Sequence, residues 1–156
     1  MQLSDIIHSN AVIANLKATS KKKALQELAD FAANAVKIDA KIIFETLMQR
    51  ERLGSTGLGR GIAIPHGKFA AIDKVHGVFA RLAQPIDFES SDDEPVDLIF
   101  LLMAPESAGA DHLKALARIS RMLRDKTLVE KLRGTEDAGG LYSILTEPSA
   151  SEPHAA

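Results

Sequence analysis

Cysteine and tryptophan are absent from this 156-residue chain, and aromatic residues make up only 4% of it. Without cysteine there are no disulfides, no thiolate zinc or iron–sulfur sites and no thiol nucleophile. Few aromatic side chains are left to stack on nucleic-acid bases. The longest unbroken apolar run, Leu98–Ala104, has seven residues, far fewer than a membrane-spanning helix needs. We therefore expect no membrane insertion.

Neither sign of charge dominates, since 19 Lys and Arg residues face 21 Asp and Glu residues, for a formal net charge of −2. This balance gives no reason to expect a nucleic-acid partner. The first ten residues, MQLSDIIHSN, lack the charged and apolar segments of a secretory signal, so we expect a cytoplasmic protein. The chain is long enough to bury one substantial core.

Apolar residues at helical spacing predict four or five helices, the last over residues 136–145. The predicted N-caps of the others are Thr19 or Ser20, Asp39, Asp111 and Asp125. Strands are predicted over residues 11–16, 61–64, 75–83 and 96–103. This order is not a simple alternation of strand and helix. It therefore predicts an α/β fold, a single layered domain with a mixed β-sheet flanked by helices on both faces. The domain is expected over residues 1–146, with a flexible tail over 147–156.

Five of the ten glycines lie between Gly54 and Gly67, in the segment GSTGLGRGIAIPHG. The spacing matches neither the phosphate loop of nucleotide-binding proteins nor the dinucleotide-binding pattern. The segment instead leads a predicted strand into Pro65, His66 and Gly67, a rigid and a bare neighbour on either side of an imidazole. A nucleophilic histidine must be neutral, with one ring nitrogen free and the other donating to a fixed acceptor. A purely structural histidine fits the spacing equally well.

Arg50-Glu51, GSTG from Gly54 and GIAIPHG from Gly61 together resemble the phosphorylation-site signature of phosphotransferase-system (PTS) IIA components of the fructose–mannitol class. GSTG followed by IPHGK is most similar to the nitrogen-related branch of that class. The likeness continues through PVDLIF from Pro95 and DHLKALARIS from Asp111, and so covers nearly the whole chain.

The resemblance implies that His66 accepts a phosphoryl group on Nε2 from an HPr-like phosphocarrier protein. It places Arg50 and His112 in the phosphate pocket, and it implies a mixed sheet of about five strands, with no cofactor and no metal. The chain would be an enzyme in the phosphoryl-carrier sense. Backbone amides near the histidine are further candidates for phosphate binding, at Thr56, Gly57, Gly59 and Gly67.

The nitrogen-related branch further implies regulatory protein targets, such as potassium transporters or sensor kinases, controlled by the phosphorylation state. The alternative is a sugar-specific IIA component that passes phosphate to a IIB domain. Read without the family, Arg50 is also compatible with a solvated helix end, and His112 with a surface helix start. The lysine run 21–23 and the acidic segment 87–94 are predicted to be solvated surface.

Overall fold

Six strands and six helices follow one another along residues 2–147, which are the residues that the computed structural model describes. The strands are β1 (Val12–Leu16), β2 (Gly57–Gly59), β3 (Ile62–Ala63), β4 (His66–Phe69), β5 (His76–Ile86) and β6 (Val96–Pro105). The helices are α1 (Leu3–Ile6), α2 (Lys21–Val36), α3 (Ala40–Arg52), α4 (Ala110–Met122), α5 (Lys126–Arg133) and α6 (Ala138–Thr146). All but the first residue of the predicted tail lies outside the described residues.

The strands form one mixed sheet in the order β1-β5-β6-β3-β2, with β4 also paired to β6. The β1–β5, β3–β6 and β4–β6 pairs are parallel, and β2–β3 and β5–β6 are antiparallel. The predicted mixed sheet is confirmed, with six strands rather than about five. β3 and β4 share one edge of β6, β3 opposite its beginning and β4 opposite its end.

Strand β6 is the centre of the core. Every residue from Leu98 to Ala104 is fully buried, and successive side chains of a strand point to opposite faces of the sheet. Both faces are therefore covered, as the continuous apolar run predicts, and helices lie on both. No helix within residues 2–147 combines the length and apolar character needed to cross a bilayer.

Three of the predicted helix starts are confirmed by their cap hydrogen bonds. The side chains of Ser20, Asp39 and Asp125 accept backbone N–H groups at 3.1, 2.9 and 3.0 Å. These bonds satisfy donors that the first turn of a helix leaves without a partner.

The predicted cap at Asp111 is wrong. Helix α4 begins at Ala110, two residues before the start that a cap at Asp111 implies, and its N-cap is Gly109, whose φ of 46° is left-handed. Asp111 lies in the first turn, where its carboxylate still interacts favourably with the helix dipole. The last helix begins at Ala138 rather than at residue 136, because Asp137 caps it.

Candidate functional site

The glycine-rich segment forms a tight β2–β3 hairpin. Gly59, Arg60 and Gly61 have φ angles of 90°, 56° and 83°, and such a run of left-handed backbone favours glycine. A side chain at Gly61 would also place its Cβ only 2.4 Å from Nη2 of Arg133. Beyond the hairpin the chain crosses to β4, which begins at His66. The glycines thus allow the sharp return that brings the histidine to the edge of β6.

His66 is half-buried at the start of β4, opposite Leu102 of β6. The Pro65 carbonyl accepts a hydrogen bond from the Leu102 N–H at 2.9 Å, which ties the backbone before the histidine to the central strand. On the other side, a Cβ at Gly67 would lie 3.0 Å from Cγ2 of Thr46 on α3. Glycine here therefore permits the close approach of α3 beside the imidazole.

The tautomer of His66 is determined by one backbone carbonyl. Its Nδ1 lies 2.8 Å from the carbonyl oxygen of Ile64. Because a carbonyl can only accept, Nδ1 must hold the proton and donate it. In the neutral ring this leaves the lone pair on Nε2, as a nucleophile requires. The Ile64 carbonyl is the fixed acceptor that a nucleophilic histidine requires.

His112 lies beside His66. The ring centroids are 5.7 Å apart and the ring planes are inclined by 48°. Its side chain is buried in the first turn of α4. The pKa of His112 is lowered from 6.5, first by burial and then by electrostatic interaction with His66 and Lys68. Burial is the largest cause because it disfavours the charged form of the ring.

Arg50 lies in the last turn of α3, where its Nη1 donates to the Gly54 carbonyl at 2.9 Å. It follows Thr46, which packs beside Gly67, by four residues, and residues four apart share one face of a helix. Arg50 therefore lies one turn further along the helix face that approaches His66. The structure places the rings of His66 and His112 side by side, and it places Arg50 on the face of α3 whose Thr46 lies against Gly67.

Thr56 has a partner of its own. Its N–H donates to Oε1 of Glu51 at 3.0 Å, and its hydroxyl donates to Oε2 of the same carboxylate. Both residues are buried. Both donors of Thr56 are therefore engaged, and its predicted contact with phosphate stays a prediction. Glu51 has no assigned role in the sequence analysis, although its position is a usable signal, since it continues the buried stripe of Ile43 and Leu47 at spacings of four.

The prediction of a solvated lysine run over residues 21–23 is wrong at Lys21. Its Nζ forms an ion pair with Oε1 of Glu51 at 2.9 Å and lies 4.8 Å from the centre of the Phe88 ring. Only 12% of the side chain is exposed, so Lys21 is not part of a solvated face. Lys22 and Lys23 are exposed, as predicted.

The acidic segment 87–94 packs onto the glycine-rich segment. Asp92 accepts the backbone N–H of Arg60 at 2.9 Å, and a Cβ at Gly59 would lie 3.0 Å from its carboxylate. The N–H of Gly57 donates to the hydroxyl of Ser55 at 3.1 Å. A carboxylate repels phosphate, so the Gly59 side of the hairpin is the less favourable place for an anion. The roles predicted for Gly57 and Gly59 stay predictions.

Comparison with known proteins gives consistent results. A nitrogen regulatory protein of Bradyrhizobium diazoefficiens is 54% identical over 151 residues, which cover 97% of this chain and 99% of that protein. A fructose-specific PTS EIIA component of Haloferax volcanii is 37% identical and covers 82% of this chain and 84% of its own. The crystal structure of nitrogen regulatory protein IIA-Ntr from Neisseria meningitidis superposes with a TM-score of 0.87 at 34% identity, covering 92% of this chain and 99% of that one.

The family model described as phosphoenolpyruvate-dependent sugar phosphotransferase system, EIIA 2, matches residues 5–147. That range contains the hairpin, both histidines and every helix and strand except the first two residues of α1. The chain therefore belongs to the EIIA 2 family of the phosphoenolpyruvate-dependent sugar phosphotransferase system.

Proposed function

We propose that this chain is a phosphohistidine carrier with a regulatory output, acting in the cytoplasm, and that His66 accepts the phosphoryl group from an HPr-like phosphocarrier protein. The observation that supports this most is the 2.8 Å contact between His66 Nδ1 and the Ile64 carbonyl, because it leaves Nε2 as the free nucleophile. Family membership supplies the reaction class, phosphoryl transfer.

The proposed phosphoryl transfer needs no cofactor, because the bond that forms on His66 replaces the bond that breaks on the donor. The Nε2 lone pair of His66 attacks phosphorus while the bond between phosphorus and the donor nitrogen breaks, and the bonding pair returns to the donor. No proton has to move in this step, since Nδ1–H stays bonded to Ile64. Phosphoryl transfer proceeds through a loose transition state, so the site mainly positions groups and stabilises the phosphoryl oxygens.

His112 and Arg50 are the groups that we propose for this stabilisation. A neutral His112 has one N–H to donate, and its Nδ1 has no hydrogen-bond partner among residues 2–147. The proton on its other nitrogen, Nε2, would then face the phosphoryl oxygens. Arg50 uses one N–H of its guanidinium on Gly54, and the planar fork of the others suits phosphate.

Mass spectrometry tests the proposal. After incubation with a phosphorylated HPr-like protein, the wild-type chain should gain one phosphoryl group, and His66→Ala should gain none. His76→Ala is the matched control, because His76 is also half-buried at the start of a strand but lies outside the site. Undiminished labelling of His66→Ala would refute the assignment.

A regulatory output is favoured by the relatives named nitrogen regulatory protein. Phosphorylation would add a charge of about −1.5 to −2 at one site, against a net charge of −2 for the whole chain. We propose that target proteins, such as potassium transporters or sensor kinases, distinguish the two states by this charge. A pull-down should recover different amounts of target with wild-type protein, His66→Ala and His66→Glu, and equal recovery with all three would contradict the switch.

The second candidate is a sugar-specific IIA component, which the fructose-specific relative favours. Such a protein would pass phosphate on to a IIB domain. The discriminating measurement is transfer from the phosphorylated chain to a purified fructose- or mannitol-specific IIB domain. Rapid transfer would favour this candidate over the regulatory one.

A further inference from the structure

A buried carboxylate, that of Glu51, directly follows Arg50 in α3 and is not used in the chemistry proposed above. Glu51 follows Ile43 and Leu47 on the buried stripe of α3, and only 2% of its side chain is exposed. A carboxylate is costly to bury unless its oxygens are paired and hydrogen-bonded. A core-facing position in this helix would ordinarily hold another aliphatic residue. The groups that contact Glu51 therefore give the reason for a carboxylate at this position.

Three donors converge on this carboxylate, two of them from one residue. Thr56 donates its N–H and its hydroxyl, one to each oxygen, and Lys21 adds its ammonium at 2.9 Å. The two bonds from Thr56 fix its backbone and its side chain at once. Glu51 thus joins the start of α2, the end of α3 and the first residue before β2.

The hydrogen bonds continue from Thr56 to His66. The Thr56 carbonyl accepts the N–H of Ile64 at 3.0 Å, and the Ile64 carbonyl accepts Nδ1–H of His66 at 2.8 Å. Ile64 is therefore the link between the two residues. Its N–H is bonded to Thr56, and its carbonyl is bonded to the imidazole of His66.

We propose that Glu51 is a positioning residue for His66: by fixing Thr56 it holds the Ile64 carbonyl in line with Nδ1, and so maintains the tautomer with a free Nε2. The inference rests on the proposed function, because it concerns the histidine that we assign as phosphoryl acceptor. Glu51 does not touch the phosphoryl group in this account. It acts through Thr56 and Ile64, by one bond between two backbone groups and one from the His66 ring to a backbone carbonyl.

Two substitutions separate the charge from the hydroxyl. Glu51→Gln keeps the size of the side chain but removes the charge opposite Lys21 and one of the two acceptor oxygens. Thr56→Val keeps the shape of threonine and removes the hydroxyl that binds Glu51. Thr56→Ser retains the hydroxyl and serves as the conservative rescue. Glu27→Gln is the matched control, since Glu27 pairs with Lys23 on the exposed face of α2 at 3.4 Å, away from the hairpin.

The first measurement is the tautomer of His66 in the unphosphorylated protein, from the imidazole nitrogen chemical shifts in NMR. The Nδ1–H form should predominate in the wild type, in Glu27→Gln and in Thr56→Ser. The Nε2–H form should become populated in Glu51→Gln and in Thr56→Val. The second measurement is the rate of phosphorylation by a phosphorylated HPr-like protein, which should fall roughly 10- to 100-fold in the same two variants, as expected for misplacement of a reacting group.

The results distinguish a positioning role of Glu51 from a purely structural one. If Glu51→Gln does not fold, Thr56→Val decides the question. Loss of stability with an unchanged tautomer and an unchanged rate would mean that Glu51 only supports the fold, and the proposal would be overturned. If the wild type is not phosphorylated at all, the proposed function fails, while the tautomer measurement still tests the role of Glu51 independently.

Discussion

At the scale of single residues, the site depends on two imidazoles held in different ways. His66 is oriented by a hydrogen bond from Nδ1 to the Ile64 carbonyl. His112 is kept neutral chiefly by burial. The difference suits the roles that we propose. A nucleophile needs a fixed tautomer, and a neighbour of the phosphoryl group needs a donor that does not carry the desolvation cost of a full charge. The ring centroids are 5.7 Å apart, and we therefore expect one phosphoryl group to contact both rings.

The lowered pKa of His112 predicts a pH dependence of stability. In the unfolded chain this group takes up a proton near pH 6.5, whereas in the folded protein its pKa is lower. Between these two values the unfolded state binds more protons, so the free energy of unfolding should decrease as the pH falls below about 6.5. Above that pH His112 is neutral in both states, and its protonation no longer lowers the free energy of unfolding.

Urea denaturation at a series of pH values, for the wild type and His112→Gln, measures this effect. The variant should lose less stability on acidification than the wild type does. His8→Gln is the control, since His8 is exposed, and it should follow the wild type. An equally steep acid dependence in His112→Gln would contradict the account.

At the scale of elements, the spacing of apolar residues and the helix-capping residues account for most of the helices and strands that the sequence predicts. Ser20, Asp39 and Asp125 mark helix starts because their side chains can satisfy the first-turn N–H groups, and they do so. The strands β2 and β4 are not predicted, because three or four residues containing glycine have no detectable period. They exist through pairing with β3 and β6, which is tertiary information.

The two adjacent glycines of α6 provide a matched pair for this scale. An added Cβ at Gly139 would meet only Asp137 Oδ2, at an ordinary 3.5 Å, whereas at Gly140 it would lie 2.8 Å from Cγ2 of Thr135. Gly139→Ala should therefore stabilise the protein by about 0.5–1 kcal/mol, since alanine is the better helix former. Gly140→Ala should gain less or be destabilising, since it crowds its neighbours. Thermal unfolding of both variants gives the comparison, and equal stabilisation would contradict the packing described here.

At the scale of the whole molecule, the hairpin that leads to His66 is held from several directions. Arg133 at the end of α5 pairs with Asp97 of β6 through Nε and Nη2, at 2.9 Å each, and donates to the Arg60 carbonyl at 2.7 Å. Arg81 of β5 donates in turn to the carbonyl of Arg133. The histidine motif and its companions are predicted from the sequence by resemblance. Contacts of this kind, between residues 36 or more positions apart, cannot be.

Replacing Arg133 tests this connection. Arg133→Lys keeps the charge but loses the fork that reaches Asp97 and Arg60 together. Because the two side chains of the pair are 37% and 25% exposed, the loss should be only about 1 kcal/mol. Chemical denaturation should show this loss for Arg133→Lys and little change for Arg124→Lys, whose residue is exposed. Equal stabilities for the two variants would contradict the proposed anchoring.

The position of the phosphoryl group on the His66 ring tests the proposed phosphoryl transfer most directly. NMR of the phosphorylated protein, with isotope-labelled histidine, shows which imidazole nitrogen is bonded to phosphorus and which still holds a proton. We expect phosphorus on Nε2 and a proton on Nδ1, still donated to the Ile64 carbonyl. Phosphorylation on Nδ1, or on a histidine other than His66, would contradict it.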